Sequence, residues 1–296
     1  MVKVVVNDSK GLVQYTGQGF ISEGVGLDIS AGLSGSAAGS RTGGILTRQI
    51  VGLEPGAGAA AANPYAESAT KLFPLGTKLS VGDKTFRYAR AAGATIAVGE
   101  LVQAAAPVAN NNDVGVNQIS TVEPLATATE LSVALGGAAV VNAFEDGYVV
   151  TVDGTGQGQL LNINSNTAGT DPVILQLIDP IRVTMASANT KVSVFVNQYA
   201  DVVKSAAAPS SAILGVAPIG ITADYYFWLQ TSGPAAVVQA AADMPEAGFV
   251  AVASEGTAGA AEKLDVSNIA ESLAIGHCLS STATNGDHCV VMLNLE

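Results

Sequence analysis

Charge, aromatic side chains and the residues that most often carry catalysis are all scarce in this 296-residue chain. Asp, Glu, Lys and Arg together make up 13% of it, about half of the roughly 25% that is usual in soluble domains. Aromatic residues make up 5%, and there are two histidines and two cysteines. Because 48% of the residues are nevertheless hydrophobic, the composition excludes the disordered class, in which low hydrophobicity accompanies high charge.

Long hydrophobic runs are also missing. Apolar stretches such as residues 57–62 stop well short of the roughly 18–20 residues that a membrane-spanning helix needs. Near the start, Val4–Val6 is shorter than the ~7–15 apolar residues of a secretion signal. We therefore expect no membrane partner, and synthesis and retention in a cytoplasm at least until assembly.

Positive charge is scarce as well, since the net charge is −12. A strongly acidic chain is a poor match for the phosphate neutralisation on which nucleic-acid binding depends, so we expect no direct nucleic-acid partner. The imbalance is uneven: residues 1–90 contain nine basic and six acidic residues, whereas residues 91–296 contain four and nineteen. The split is compatible with ordinary solvated surface, or with a mildly basic docking end on an acidic body.

What the chain does contain is a pattern of short strands. From Phe73 onward, apolar stretches alternate with turn residues, which predicts a mainly β protein with little helix, built of β-sandwich or β-barrel domains. Residues 1–70 offer too little apolar surface to fold alone and are predicted to be an extended N-terminal arm. Residues 71–110 and 207–296 are expected to form the main β domain, with an inserted β-sandwich or barrel domain at 111–206.

Turn and capping residues locate individual elements. Gly82-Asp83 predicts a hairpin over residues 79–88, and Asn63 before Pro64 predicts a short helix over residues 64–72. A second short helix is expected near residues 268–273. The strands predicted in the insertion are 129–135, 147–153, 159–164, 173–178, 181–185 and 191–196.

The pairs His277-Cys278 and His288-Cys289 superficially form a set of four metal ligands. The Asn-Gly at 285–286 predicts a two-residue hairpin turn, which would place Cys278 opposite Leu293 and Cys289 opposite Thr282. The cysteines would then lie four positions apart, about 13 Å at ~3.3 Å per residue, beyond the reach of a disulfide or a shared tetrahedral site. We expect two core thiols, two outward imidazoles and no metal.

Other familiar catalytic patterns give no support for chemistry. Residues 153–158 (DGTGQG) are rich in glycine, but a strand-like stretch follows where a phosphate loop needs a helix N-terminus, so a β-turn is predicted. Nucleophile-elbow, His-Glu-x-x-His, calcium-loop and Walker patterns do not occur in the sequence. We therefore predict a protein that is not an enzyme and that needs no cofactor.

Aromatic side chains are concentrated in Tyr225–Leu229, which includes the single tryptophan. In a strand, Tyr226 and Trp228 point to one face, and Tyr225, Phe227 and Leu229 to the other. Large side chains on both faces indicate that both faces are covered. The strand is either an inner strand of the core or, on one face, covered by a neighbouring subunit.

Several blocks of sequence carry a resemblance to a known family: 72–78 (LFPLGTK), 86–90 (FRYAR), 99–103 (GELVQ), 214–218 (LGVAP), 225–230 (YYFWLQ), 233–234, 248–252, 275–276 and the closing hairpin. They resemble the capsid decoration, or cement, proteins of tailed bacteriophages, especially marine and cyanophage-like ones. Residues 146–148 and 153–158 are similar to an inserted β domain that some of these proteins carry. Residues 1–70 are not clearly matched.

The resemblance implies a non-enzymatic structural virion protein on the outer capsid surface, synthesised in the cytoplasm of the host bacterium. Its partner would be the major capsid protein, and it would bind as a homotrimer that stabilises the shell. The candidate capsid-docking residues are Phe20, Phe73, Lys78, Arg87 and Arg90, and the candidate subunit-interface residues are Tyr226 and Trp228.

Two other classes of protein stay open at this point. The first is a surface-exposed adhesin or carbohydrate-binding β module, such as a head fibre, which predicts an exposed aromatic platform and not a buried Trp228. The second is a hydrolase on a β scaffold, which would need a cleft that gathers His277 or His288 with a carboxylate.

Overall fold

The structure, a computed structural model, describes residues 4–7, 11–14, 62–106, 118–119, 123–187, 189–207, 209–240, 245–264, 273–280 and 286–296. Every regular element within these ranges is a β-strand, so the predicted mainly β fold is confirmed. The chain divides into two units, Met1–Gln49 and Ile50–Glu296. Over the residues described, no helix is long and apolar enough to span a membrane.

In the first unit the structure describes a hairpin. Strand β1 (Val4–Asn7) pairs antiparallel with β2 (Gly11–Gln14), with Val4 opposite Gln14 and Asn7 opposite Gly11. The predicted extended arm therefore contains local β structure near its start.

The end of the predicted arm lies on the sheet of the second unit. Ser68 forms a β-bridge with Tyr226, and the two backbone N–H···O distances are 2.8 and 2.9 Å. Glu67 accepts hydrogen bonds from the backbone N–H and the hydroxyl of Thr222. Residues 62–70 are thus part of the main β body, and the expected boundary at residue 70 falls too late in the chain.

The second unit contains the other strands of the described chain, numbered in chain order. They are β3 (Lys78–Val81), β4 (Lys84–Arg90), β5 (Leu101–Gln103), β6 (Gln118–Ile119), β7 (Glu130–Ala134), β8 (Tyr148–Asp153), β9 (Leu160–Asn166), β10 (Val173–Leu177), β11 (Lys191–Phe195), β12 (Val203–Lys204), β13 (Ile213–Val216), β14 (Tyr226–Val238), β15 (Val250–Ala253), β16 (Ala261–Lys263), β17 (Ala274–Ser280) and β18 (His288–Asn294).

Strands β6 to β11 close into an antiparallel barrel in the order β10-β7-β6-β11-β8-β9. The chain enters the barrel after β5 and leaves it before β12, and these two strands pair with each other, Val203 opposite Gln103. The barrel is therefore an insertion between two neighbouring strands of the main sheet. Aliphatic side chains fill it, together with Phe144 and Met185.

The main sheet has the order β12-β5-β13-β14-β18-β17-β15-β16, and the β3–β4 hairpin joins it at β14. Residues 226–232 of β14 pair with β4, and residues 232–238 pair with β18. At the changeover Gly233 has φ +86°, and a Cβ there would collide with the carbonyl oxygen of Asp83 in the β3–β4 turn. Glycine is required at this position because backbone conformation and close approach both exclude a side chain.

The sheet curls until backbone hydrogen bonds connect its two ends. Leu101 donates its N–H to Gly259 at 2.8 Å, and Gly259 donates to Ser205 at 3.0 Å. The core of the curled sheet is made largely of small or medium side chains: Ala235, Val237, Ala251, Ala253, Ala261, Ile275, Cys278, Cys289 and Val291. The Ala-rich composition is explained in part by this interior, where small side chains allow sheet segments to approach closely.

Comparison of the predicted and observed elements shows where local patterns were sufficient. The hairpin over 79–88 is confirmed, with Val81 opposite Lys84 across Gly82-Asp83. The glycine-rich residues 153–158 form the turn between β8 and β9, also as expected. Five of the six strands predicted in the insertion are present as β7 to β11. The sixth, 181–185, is wrong: the residues form a turn segment whose ends, Ile181 and Met185, are buried in the barrel.

The short helix predicted over 64–72 is also wrong. The Asn63 side chain does accept a hydrogen bond from the N–H of Tyr65, at 3.0 Å, but only a single turn follows. Pairing of Ser68 with β14 draws the chain into the sheet before a helix can continue. The helix predicted near 268–273 falls mostly on residues 265–272, which lie outside the described residues.

The closing hairpin differs from its predicted register by two positions. Cys278 lies opposite Val291, not Leu293, and the register shifts between Cys278 and Ser280. The shift accounts for one of the two positions, because Ser280 already lies opposite Val290 and not opposite the predicted Val291. The predicted separation of the cysteines by four positions is therefore wrong, whereas their burial and the exposure of both histidines are confirmed.

Candidate interaction surface

Two of the predicted docking residues lie opposite each other on neighbouring strands. Lys78 on β3 pairs with Arg87 on β4, and both side chains bind the carboxylate of Glu296. Lys78 Nζ is 2.6 Å from Glu296 Oε2, and Arg87 Nε is 2.8 Å from Oε1. Thr231 donates its hydroxyl to the same Oε1 at 2.9 Å. The structure brings the two cations together, but around a carboxylate of the same chain.

The environment of Glu296 favours its charged form. Burial by itself would raise the pKa of this carboxyl, but hydrogen bonds from Lys78, Arg87 and Thr231 outweigh burial and hold the pKa below its ordinary value. Glu296 therefore keeps its charge to lower pH than an ordinary glutamate does.

The third cation, Arg90, lies between two aspartates. Its guanidinium is 2.7 Å from Asp201 Oδ1 and 3.1 Å from Asp224 Oδ1, and its Cζ lies 6.0 Å from the ring centre of Tyr226. All of these side chains are at least partly exposed, so each ion pair contributes little to stability. The three predicted basic docking residues thus face three carboxylates, and their charge is locally balanced.

The apolar docking candidate Phe73 and the interface candidate Trp228 are both buried inside the chain. Their rings lie 5.3 Å apart, and each ring packs against Tyr88, at 5.2 and 5.1 Å. Trp228 is only 2% exposed. Neither residue is therefore an exposed contact residue, which corrects both assignments. The segment over residues 62–75, not another subunit, covers this face of β14.

Tyr226 keeps a partly exposed position at the edge of this aromatic cluster. Its ring stacks on Tyr88 with centres 5.9 Å apart, beside a groove of about 170 Å³ that is also lined by Glu67, Ser68 and Leu72. The remaining docking candidate, Phe20, lies outside the described residues.

A surface that sequence reasoning missed runs across the outside of the barrel. Phe195 on β11 lies opposite Tyr148 on β8, which lies opposite Asn162 on β9. Ile178, just after β10, donates its N–H to the carbonyl of Asn162 at 2.8 Å. We call Phe195, Tyr148, Asn162 and Ile178 the barrel row. At about 4.8 Å between strands it crosses about 14 Å of surface.

The barrel row is largely apolar and open to solvent. Phe195 and Tyr148 are more than one third exposed, and Ile178 and the flanking Leu160 are more than half exposed. The amide of Asn162 is held by Asp179, with Nδ2 and Oδ2 2.7 Å apart. A partial sequence signal was available, because the outward positions of β8 include Tyr148 and Val150 and β9 begins with an outward Leu160, where a half-solvated strand usually has polar residues.

A polar cluster fixes the barrel to the main body, and it too was missed. Lys71 Nζ lies 2.8 Å from Glu145 Oε1 and 2.6 Å from Asp146 Oδ2, and the N–H of Leu75 donates to Asp146 Oδ2 at 2.7 Å. Asn197 donates to the Asp146 carbonyl at 2.8 Å. Burial alone would lower the pKa of Lys71, but the two carboxylates outweigh it and raise the pKa above its ordinary value.

The histidines on the closing hairpin are both exposed, and the His288 ring nitrogen Nε2 lies 3.2 Å from the Val98 carbonyl. Among the described residues, no group of three or more His, Cys, Asp and Glu side chains is arranged to hold a metal ion.

Comparison with known proteins identified no relative of this chain. No family model matches the chain, and no similar protein was found among the curated proteins or the solved structures compared. The class that the structure itself defines is a mainly β protein with a barrel inserted into a curled antiparallel sheet.

Proposed function

We propose that this chain is a non-enzymatic structural virion protein that binds the outer surface of a tailed-phage capsid as a homotrimer and stabilises the shell. In this proposal its partner is the major capsid protein, and it is synthesised in the host bacterial cytoplasm before it joins the virion. The sequence blocks that resemble capsid decoration proteins supply the starting point.

The observation that carries the proposal is the barrel row. An exposed row of large apolar side chains on a closed barrel, in a chain with little charge, is typical of a surface that contacts another protein. Contacts of this kind are individually weak, but repetition over a symmetric lattice increases their combined strength. The internally paired cations make the row a stronger candidate for shell contact than the basic residues first considered.

The direct test combines light scattering, for the oligomeric state, with co-sedimentation on empty shells assembled from a tailed-phage major capsid protein. We expect a trimer that sediments with the shells. A monomer that stays in the supernatant would contradict the proposal.

The contribution of the barrel row is tested separately by the double variant Leu160→Glu/Ile178→Glu. We expect shell binding or trimer formation to fall at least about tenfold, the equivalent of roughly 1.4 kcal/mol. Leu125→Glu is the control for a new charge at an exposed apolar position, because Leu125 is also more than half exposed but lies outside the row. If wild type binds and the double variant binds equally well, another surface makes the contact.

The alternative, a surface adhesin or carbohydrate-binding module, also draws on the barrel row. Tyr148 and Phe195 form a partly exposed aromatic pair next to the Asn162 amide, and sugar rings commonly pack on such aromatic faces. Trp228 cannot serve as the platform because it is buried. Binding of wild type to host surface polysaccharide but not to shells would favour this alternative.

A further inference from the structure

The two cysteines of the chain converge in the core of the curled sheet. Cys278 on β17 lies opposite Val291, and Cys289 on β18 is two residues from Val291 on the same inward face. Two positions correspond to about 6.6 Å along a strand. Both cysteines are free and buried, and they belong to the same cluster of inward side chains.

We propose that Cys278 and Cys289 are a disulfide-forming pair that links β17 to β18 when the protein meets a low-molecular-weight disulfide such as oxidised glutathione. The first cysteine thiolate attacks the glutathione disulfide, forms a mixed disulfide and releases one glutathione thiolate. The second cysteine then attacks the protein sulfur of that mixed disulfide and releases the other glutathione. The protein loses two electrons and two protons, and glutathione disulfide takes up both electrons.

Backbone geometry places the pair at the limit of disulfide reach. Bridged cysteines usually have Cα atoms ~4.4–6.8 Å apart, and diagonal neighbours on flat antiparallel strands lie ~7–8 Å apart. Strand twist shortens one of the two diagonals. The register shift between Cys278 and Ser280 also lies beside the pair, so a small backbone adjustment there does not break a regular ladder.

The surroundings of the pair make oxidation slow in the closed structure. Cys278 donates its S–H to the Ser280 carbonyl at 3.3 Å, and Cys289 donates to the Val237 carbonyl at 3.5 Å. Burial raises the pKa of Cys278 and raises that of Cys289 to about 12, so the reactive thiolate is scarce. Thiol–disulfide exchange with glutathione therefore requires the β17–β18 hairpin to open. Mild denaturant should accelerate this exchange because it favours opening.

The test incubates the full-length protein with excess glutathione disulfide, with and without sub-denaturing urea. Free thiols are then alkylated under full denaturation. Cleavage before Asp287 separates the two cysteines into different peptides, because Asp287 lies between them. We expect the two peptides to stay joined until they are reduced, and the intact mass to fall by two hydrogen atoms. The thermal midpoint of the oxidised protein should exceed that of the reduced protein.

Cys278→Ser and Cys289→Ser are the matched controls. In neither variant should glutathione disulfide join the two peptides or raise the thermal midpoint above that of the same variant without glutathione disulfide. The proposal is overturned if wild type, with or without urea, retains two alkylatable thiols, if it stops as a stable glutathione adduct, or if its disulfides join separate chains. The assay is independent of shell binding, so its outcome does not depend on the proposed function.

Discussion

The inserted barrel and the curled sheet bury their strands in different ways. The barrel pairs every strand on both sides and fills its interior with its own aliphatic side chains. The curled sheet buries an Ala-rich inner face by closing on itself, and covers a second, aromatic face with the segment over residues 62–75. A closed barrel has no free edges, whereas the sheet depends on contacts between residues far apart in sequence.

This difference extends to the surfaces of the two parts. The barrel exposes the apolar barrel row, while the main body ties its cations Lys78, Arg87 and Arg90 to carboxylates of its own. The barrel thus closes on its own strands, whereas the sheet depends on cooperation between distant segments.

The largest effect is expected from Trp228→Ala. Removing the ring leaves a cavity between Phe73 and Tyr88, and large-to-small changes of this type cost about 3–5 kcal/mol. Denaturant unfolding measures the loss, and amide hydrogen exchange locates it. If the barrel is self-sufficient, amides of β8 and β11 keep their protection while those of β14 and β4 lose it. Parallel loss in both parts would show that they unfold as one.

The reciprocal change is Leu175→Ala in the barrel interior, where Leu175 is fully buried. We expect a loss of about 2–5 kcal/mol, with exchange protection lost first in β7, β9 and β10. Leu160→Ala is the matched control, because this leucine lies on the outside of the same barrel and should change stability by less than about 0.5 kcal/mol. Equal losses in the two variants would mean that the barrel interior is not packed as described.

Lys71→Met tests the connection between the two parts. It leaves two partly buried carboxylates without their cation, and we expect a loss of about 1–3 kcal/mol. Because the folded pKa of Lys71 is raised, its contribution is complete below the unfolded pKa of roughly 10.4 and disappears as pH rises through the folded value. The free energies of unfolding of wild type and variant, measured in urea, should therefore converge in strong alkali. Lys204→Met, which breaks a more exposed pair with Glu100, should cost less.

The smallest effect is expected from Glu296→Gln, about 1 kcal/mol near neutral pH, because its partners Lys78 and Arg87 are partly exposed. The folded pKa of Glu296 is lowered, so its contribution is complete above the unfolded pKa of roughly 4.3 and is lost as pH falls through the folded value. Acid unfolding of the variant should start at higher pH than that of wild type. Glu246→Gln, at an exposed residue, controls for the change in net charge. If this variant moves the pH of acid unfolding as far as Glu296→Gln does, Glu296 has no specific role.

Local patterns predicted much of the fold, including the β class, the 79–88 hairpin, the turn at 153–158 and most strands of the barrel. Turn residues and apolar stretches act over a few neighbours, so they are visible in a short window of sequence. The same reasoning failed at 64–72, where pairing with β14 overrode a good helix start. It failed again in the closing hairpin, where the partner of Cys278 differs from the predicted one by two positions and that of Ser280 by one.

The candidate site was less predictable than the fold. Sequence drew attention to aromatic and basic residues, yet Phe73 and Trp228 are buried and the three cations are paired. The barrel row combines residues from four separate parts of the insertion, and only closure of the barrel places them side by side. The Glu296 ion pair similarly joins residues more than 200 positions apart.

The alternation of short apolar stretches with turn residues by itself determined a mainly β protein, and the scarcity of charge with the wealth of Ala and Val indicated layers that pack closely. Tertiary structure alone decided which apolar side chains lie together on the surface and which residues meet in the core. Closing the barrel turned Tyr148, Phe195 and Ile178 into one outward row, and the register of the β17–β18 hairpin brought Cys278 to Cys289. The first outcome depends on long-range closure, and the second depends on a strand register that the turn residues alone did not predict.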